Sequence, residues 1–277
     1  MTRIGHATHH PATHAARPSV AGARSVSHPT QRPRREVDAF EPTGFRRFGV
    51  DTNAGDMDPA LAKRNGAKFV ARYLSDDGNP SDPALTPAEA KKWSQAGVPL
   101  VAVWETGRQD HVLAGNSLAA AKANGAADAR KARTAIDAAG GKGQPIYFTV
   151  DFNVGQKGWN KPVTDPTTGK ATTQGALIRA YFAGIRSVLP KDQVGVYGTN
   201  TVLKHLFDNK TVAFGWQQAV GRKGKHVDAR AQLEQTRYAG GAAQAKWGVG
   251  QAGGLDKDRA IKKSFGQWFS TLGQSNG

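Results

Sequence analysis

Apolar and polar positions along this chain alternate in blocks. Short runs of β-branched and aromatic residues recur, and most are followed by a stretch with helical spacing. The clearest run is QPIYFTVDFN, residues 144–153. It is apolar through Ile146, Tyr147, Phe148 and Val150, follows a Gly-Lys-Gly turn and stops on Asp151. A short continuous apolar run between turn signals predicts a strand buried on both faces. A carboxylate at its end packs poorly but is well placed to face a cleft at the strand's C-terminal end.

The same reading predicts strands at 45–51, 68–73, 98–104, 193–197 and 212–217, with shorter ones at 231–235 and 254–256. Helices are expected between them. Asp58-Pro59 combines an N-cap with a proline at the first helical position. Thr86 to Glu89 has the spacing of a capping box for a helix ending at Gly97. Residues 117–139 form a long Ala-rich helix, residues 173–189 an amphipathic one, and Asn200 caps a helix to about Phe207. Residues 153–172 read as a long polar loop, and a closing helical segment runs through Trp268. Alternation of strand and helix means parallel strands with crossover helices. Eight strand candidates from residue 44 to 277 predict an α/β fold, a distorted (β/α)8 TIM-like barrel. An open doubly wound sheet is the alternative, but residues 51–56 carry no G-x-G-x-x-G phosphate loop.

Residues 1–43 break the pattern. They are rich in Ala, His, Pro and Arg and hold five of the eight histidines. Such a segment buries too little apolar area to offset its ordering entropy, so it is expected to be a disordered tail. It is a candidate docking arm for a protein partner. Its histidines (His6, His9, His10, His14) are too loosely spaced to favour a metal site.

The formal net charge is +16, of which residues 1–47 contribute +5 (eight Arg against Glu36, Asp38 and Glu41) and the remainder +11. A basic surface of that size expects a polyanionic neighbour (nucleic acid, an anionic wall polymer or a membrane surface), unless the charge is spread evenly for solubility. Nucleic acid is disfavoured, since no recognised binding motif accompanies the charge. There is no cysteine, which excludes disulfides and thiolate metal sites. No apolar run reaches the length of a membrane span, and the N-terminus has no apolar core of a standard signal peptide. Synthesis in the cytoplasm is the expectation, with non-classical or particle-mediated delivery should the protein act at a cell wall.

Several predicted strands end on polar or acidic residues: Asp51, Glu105, Asp151, Gln217 and Asp256. In a barrel such ends converge on one rim. Tyr73, Trp104, Tyr197 and Trp216 lie at or beside the same ends, where rings suit the C–H faces of a sugar. Paired carboxylates are what glycoside hydrolysis requires, one protonated and one charged. There is no G-x-S-x-G elbow, and His111, His205 and His226 are too dispersed to form an HExxH-like metal pair. No cofactor and no metal are expected.

Taken together, Phe48-Gly-Val-Asp51, Ala71-Arg-Tyr73, Leu85-Thr-Pro-Ala-Glu89 with Ala96-Gly-Val-Pro-Leu100, Ile146-Tyr-Phe-Thr-Val-Asp151, Gly195-Val-Tyr-Gly198 and Trp216-Gln217 resemble a glycoside-hydrolase-like domain of unknown function. That domain is a distant relative of the family 25 muramidases. The resemblance covers about residues 44–268 and implies a barrel with an acidic pocket acting on peptidoglycan or related glycans. In the muramidases the fourth strand ends Asp-x-Glu, with the glutamate as general acid. Here those positions read Asp151-Phe152-Asn153. Asn153 cannot donate a carboxylic proton, so Glu105 becomes the candidate acid and Asp151 the stabilising carboxylate. Asp51, Tyr73, Asn153, Tyr197, Trp216, Gln217 and Asp256 are the candidate substrate-binding residues. Two functions stay open: a glycosidase acting on cell-wall glycan, and an inactive carbohydrate-binding barrel serving a phage or other delivery particle.

Overall fold

A computed structural model describes residues 46–55, 57–75, 83–106, 109–219, 227–239, 246–249 and 254–272. The predicted tail, residues 1–43, and His226 lie outside the described residues. Eight strands close into one barrel: β1 (Arg47–Thr52), β2 (Val70–Tyr73), β3 (Leu100–Trp104), β4 (Ile146–Thr149), β7 (Val194–Gly198), β8 (Phe214–Gln217), β9 (Leu233–Ala239) and β10 (Leu255–Ala260). Its order is β1-β10-β9-β8-β7-β4-β3-β2. All neighbours are parallel except those of β10, which runs antiparallel to both β9 and β1. The reversal has a direct consequence. The start of β10, not its end, lies at the rim where the other strands finish, so Asp256 pairs in register with Asp51.

Local chemistry explains the helices. Asp58 caps α1 (Pro59–Arg64), accepting from Ala60 N at 2.9 Å. Thr86 caps α2 (Pro87–Gln95), accepting from Glu89 N at 3.1 Å. Only that half of the expected capping box forms. The Glu89 carboxylate instead meets the fully buried Arg72, Oε1 to Nε at 2.5 Å, because an unpaired buried guanidinium costs far more than an unmet helix N–H. α3 (Gln109–Leu113) is short, and Ser117 caps the long α4 (Leu118–Ala138). α6 (Gln174–Arg186) follows Thr173, and α7 (Asn200–Asp208) is capped by Thr199 rather than Asn200.

The expected polar loop at 153–172 carries structure of its own, a turn of helix α5 (Gln156–Trp159) and a hairpin of β5 (Pro162–Thr164) with β6 (Ala171–Thr173). Asp165 organises the hairpin turn and accepts from the backbone N–H groups of Leu118, Thr167 and Thr168. The closing segment is not helical. Gly266 takes a left-handed φ of 78°, and Trp268 forms a β-bridge to Leu100 across the start of β3. Leu100 N donates to Trp268 O at 2.8 Å, and Trp268 N to Leu100 O at 2.9 Å.

Two cores result from the strand alternation. Phe69, Val101, Val103, Tyr147, Phe214, Trp216, Leu233 and Phe265 belong to the barrel interior. The opposite strand faces pack under the helices, where Trp104 joins the outer cluster. No described helix is long and apolar enough to cross a membrane.

Candidate active site

The rim of the barrel gathers a connected set of polar side chains. Asp51, on β1, is 4% exposed. Tyr73, at the end of β2, donates its phenol to Asp51 Oδ1 at 3.2 Å. Gln235 reaches in from β9, and its Nε2 donates to Asp256 Oδ2 at 2.9 Å and to Asp51 Oδ2 at 3.4 Å. Gln235 is itself aimed by two donors to its Oε1, Tyr197 Oη at 3.0 Å and Ala219 N at 3.3 Å. Asp258, fully buried, contacts Asp51 carboxyl to carboxyl and accepts from Trp216 Nε1 at 3.0 Å.

Glu105 directly follows β3. Its N–H donates to Ser75 Oγ at 3.2 Å, and the Ser75 hydroxyl donates back to the Glu105 carbonyl, which ties the ends of β2 and β3 together. Behind it, Thr106 meets the Tyr181 hydroxyl, which donates to the buried Asp128 at 2.6 Å. His111 Nε2 meets the same Asp128 oxygen at 2.8 Å. Asp151 and Asn153 lie just beyond β4, both exposed.

The electrostatics report the grouping. Burial pushes the Tyr73 phenol well above its ordinary range, and the charges of Asp51, Glu105, Tyr197 and Asp151 add to it. Burial raises Asp51 against the hydrogen bonds from Asp258, Gln235 and Tyr73, with the Asp151 charge helping to raise it. Asp151 is raised by partial desolvation. Asp258 is held well above the carboxylate range, first by burial and then by the Asp51 charge.

Some predicted site residues point elsewhere. Gln217 follows Trp216 on β8 and so takes the opposite face. Its Oε1 accepts from Asn200 Nδ2 at 3.2 Å and from Asp228 N at 2.9 Å, which makes it a tie between loops. Trp216, 1% exposed, is wedged edge-on against Tyr147 and Tyr197, at centroid distances of 5.8 and 5.1 Å. With no open face it is no stacking platform for a sugar. Its indole N–H donates to Asp258 instead. Tyr197, 7% exposed, likewise acts through its hydroxyl on Gln235. Two residues of the network were not anticipated, Gln235 and Asp258. The signal for Asp258 was present: Asp256 and Asp258 sit at alternate positions of Leu255-Asp-Lys-Asp-Arg-Ala260, one face of a strand. Among the described residues no group of three His, Cys, Asp or Glu side chains is arranged to hold a metal ion.

A closed eight-stranded α/β barrel with polar side chains collected at the strand ends defines the class: an α/β barrel of the kind that places its chemistry on that rim. The chain belongs to the Rv2525c-like, glycoside hydrolase-like domain family, whose model matches residues 60–260. Two crystal forms of the Tat-secreted protein Rv2525c of Mycobacterium tuberculosis, one with L-tartrate and one with HEPES, share the fold. Each has 22% identity and a TM-score of 0.63 and covers 80% of this chain and 98% of that one. An uncharacterised protein of B. stearothermophilus matches at 18% identity and a TM-score of 0.50, over 78% of this chain and 97% of its own. No curated protein matches the chain in sequence.

Proposed function

We propose that this barrel is a glycosidase acting on bacterial cell-wall glycan, with the reacting sugar at the rim between Glu105 and Asp151. The observation that supports it most is the contact of the Tyr73 phenol with Asp51 at 3.2 Å, with the charges of Glu105 and Asp151 near enough to raise the same phenol. Membership of a glycoside-hydrolase-like family supports the reaction class. Glycoside hydrolysis needs one carboxyl protonated near neutral pH and one ionised. The upward shift of Asp151 is in the direction a proton donor needs, which suits Asp151 to the acid's part and leaves Glu105 as the second carboxyl, the reverse of the division expected from the sequence. Asp51, Tyr73, Gln235 and Asp256 then form one wall of the sugar site. The net charge of +16 favours a polyanionic wall as the surface on which the protein concentrates, and action outside the cytoplasm follows the secreted relative Rv2525c.

A second reading, a barrel that binds glycan without cleaving it, is favoured by Asn153 standing where the muramidases carry their acid. Purified full-length protein on wall preparations separates the two. Clearing that is lost in both Asp151→Asn and Glu105→Gln, with unchanged circular dichroism, supports the glycosidase. Pull-down with walls and no clearing by the unmutated protein supports the binder. Clearing retained in both variants discards the assignment.

A further inference from the structure

Asp51 and Asp258 form a pair of buried carboxyls, 4% and 0% exposed, in hydrogen-bond contact inside the barrel. Two adjacent carboxylates without a countercharge repel strongly in a low-dielectric interior, so such a pair keeps a proton. Among the described residues, the groups facing it are Tyr73 on β2, Trp216 on β8, Gln235 on β9, Asp256 on β10 and, at longer range, Asp151 after β4. Among the described residues no Lys, Arg or His lies in this set.

The hydrogen bonds are unequal, and the inequality says which partner holds the proton. Asp51 accepts at both oxygens, from Tyr73 at Oδ1 and Gln235 at Oδ2, as an ionised carboxylate does. Asp258 accepts only at Oδ1, from Trp216, while its buried Oδ2 meets no N–H or hydroxyl donor. An oxygen without donors, beside a carboxylate that can accept, is where a carboxylic proton belongs.

We propose that Asp258 is a positioning residue for Asp51: it stays protonated on Oδ2, donates that proton to Asp51, and fixes Asp51 as the single negative charge of the pair. Trp216 orients Asp258 for this by occupying its other oxygen. Burial and the Asp51 charge both push Asp258 in the same direction. The consequence for catalysis rests on the glycosidase reading: the wall of the sugar site carries one fixed charge from this pair rather than two.

The test needs no glycan, so it stands apart from the fate of that reading. An amide reproduces the protonated acid, since in Asp258→Asn the side-chain carbonyl would still accept from Trp216 and the amide nitrogen would donate to Asp51. The full chain is labelled with carboxyl-13C aspartate and titrated by NMR from about pH 4 to about pH 9. One aspartate carbon is expected to keep the protonated shift at about pH 7 and to vanish in Asp258→Asn. In parallel, thermal unfolding follows Asp258→Asn and Asp258→Ala across the same range. For an acid whose folded pKa is raised, the folded state binds the extra proton, so wild-type stability falls as pH rises from the unfolded value of about 4 through the folded pKa. Asp258→Asn should lose that fall and melt at or above wild type at the alkaline end. Asp258→Ala should melt below wild type at acid and neutral pH. If every aspartate carbon is ionised by about pH 7, or if Asp258→Asn is destabilised as much as Asp258→Ala, the proposal is wrong. Should the variants not fold, the wild-type spectrum still decides once the protonated carbon is assigned through its contact with the Trp216 indole N–H, and assignment to Asp51 or Asp151 instead would overturn the proposal.

Discussion

Helices α4 and α6 cross so closely that backbone touches backbone, and this contact makes a sharp prediction for Gly184→Ala. A Cβ placed on Gly184 would sit 2.0 Å from the Lys122 carbonyl oxygen and 2.8 Å from Ala126 N. The reciprocal contact is equally tight: a Cβ on Gly125 would lie 1.9 Å from Tyr181 O. Ordinary contact begins at 3.4 Å, so the helices must part by about 1.4 Å (3.4 less 2.0). Neither obstacle is a flexible side chain that can swing aside. Overpacking of this kind costs about 1–3 kcal/mol, and the rigidity of both backbones puts Gly184→Ala at the upper end. The better helix propensity of alanine returns up to about 1 kcal/mol. A net loss of about 2 kcal/mol corresponds to a drop in Tm of about 4–8 °C for a domain of this size. The strain also has a functional address, because Tyr181 on α6 and Asp128 on α4 hold Thr106, the neighbour of Glu105. Differential scanning calorimetry of Gly184→Ala, with Gly158→Ala as a control whose added Cβ meets nothing nearer than 3.4 Å, makes the measurement. A Tm for Gly184→Ala equal to or above wild type would refute the argument that this crossing is set by the absence of Cβ atoms.

Other perturbations have worked signs. Arg72→Met leaves Glu89 and the Thr52 carbonyl without the guanidinium that holds both, the latter at 2.6 Å, and should cost about 3–5 kcal/mol in chemical denaturation. The double change Arg72→Met, Glu89→Leu should recover part of that loss, and no recovery would mean that the pair is not the unit of stability. Asp208 is lowered to about 2 by Lys204 and Arg230, so its contribution is complete above the unfolded carboxylate pKa and disappears as pH falls from about 4 towards 2. Asp208→Asn should flatten acid unfolding in that window, and an unchanged acid limb counts against the ion pairs. His205 stacks on Trp159 at 4.3 Å, and burial lowers its pKa, so the unfolded state takes up a proton first and stability falls as pH drops through about 6.5. His205→Phe keeps the stacking and should remove this step from the unfolding profile, whereas a persisting step would assign it to another group.

The amino-acid sequence by itself determined the eight barrel strands and the main helices between them, though not the hairpin inside 153–172 or the non-helical close of the chain. Runs such as Ile146–Thr149 and Leu100–Trp104 are strands because their apolar residues find cover on both faces, and Asp58, Thr86, Ser117 and Thr173 start helices because their oxygens reach nearby backbone N–H groups. Those are local effects, acting over one turn or one pleat. Reversal of β10 was not legible, because strand direction depends on which neighbour receives its hydrogen bonds and not on its own residues. That reversal decided the rim, bringing Asp256 beside Asp51 and lowering Asp258 beneath both. Face choice was legible only once strand register was known. Trp216 and Gln217 are adjacent in the chain, yet the pleat sends one to Asp258 in the interior and the other to Asn200 and Asp228 outside. The side chains at the rim were largely written in the chain, but which of them hold protons, which merely hold other side chains, and which look outward was settled by the closure of the barrel, since only closure brings residues some two hundred positions apart within hydrogen-bond reach.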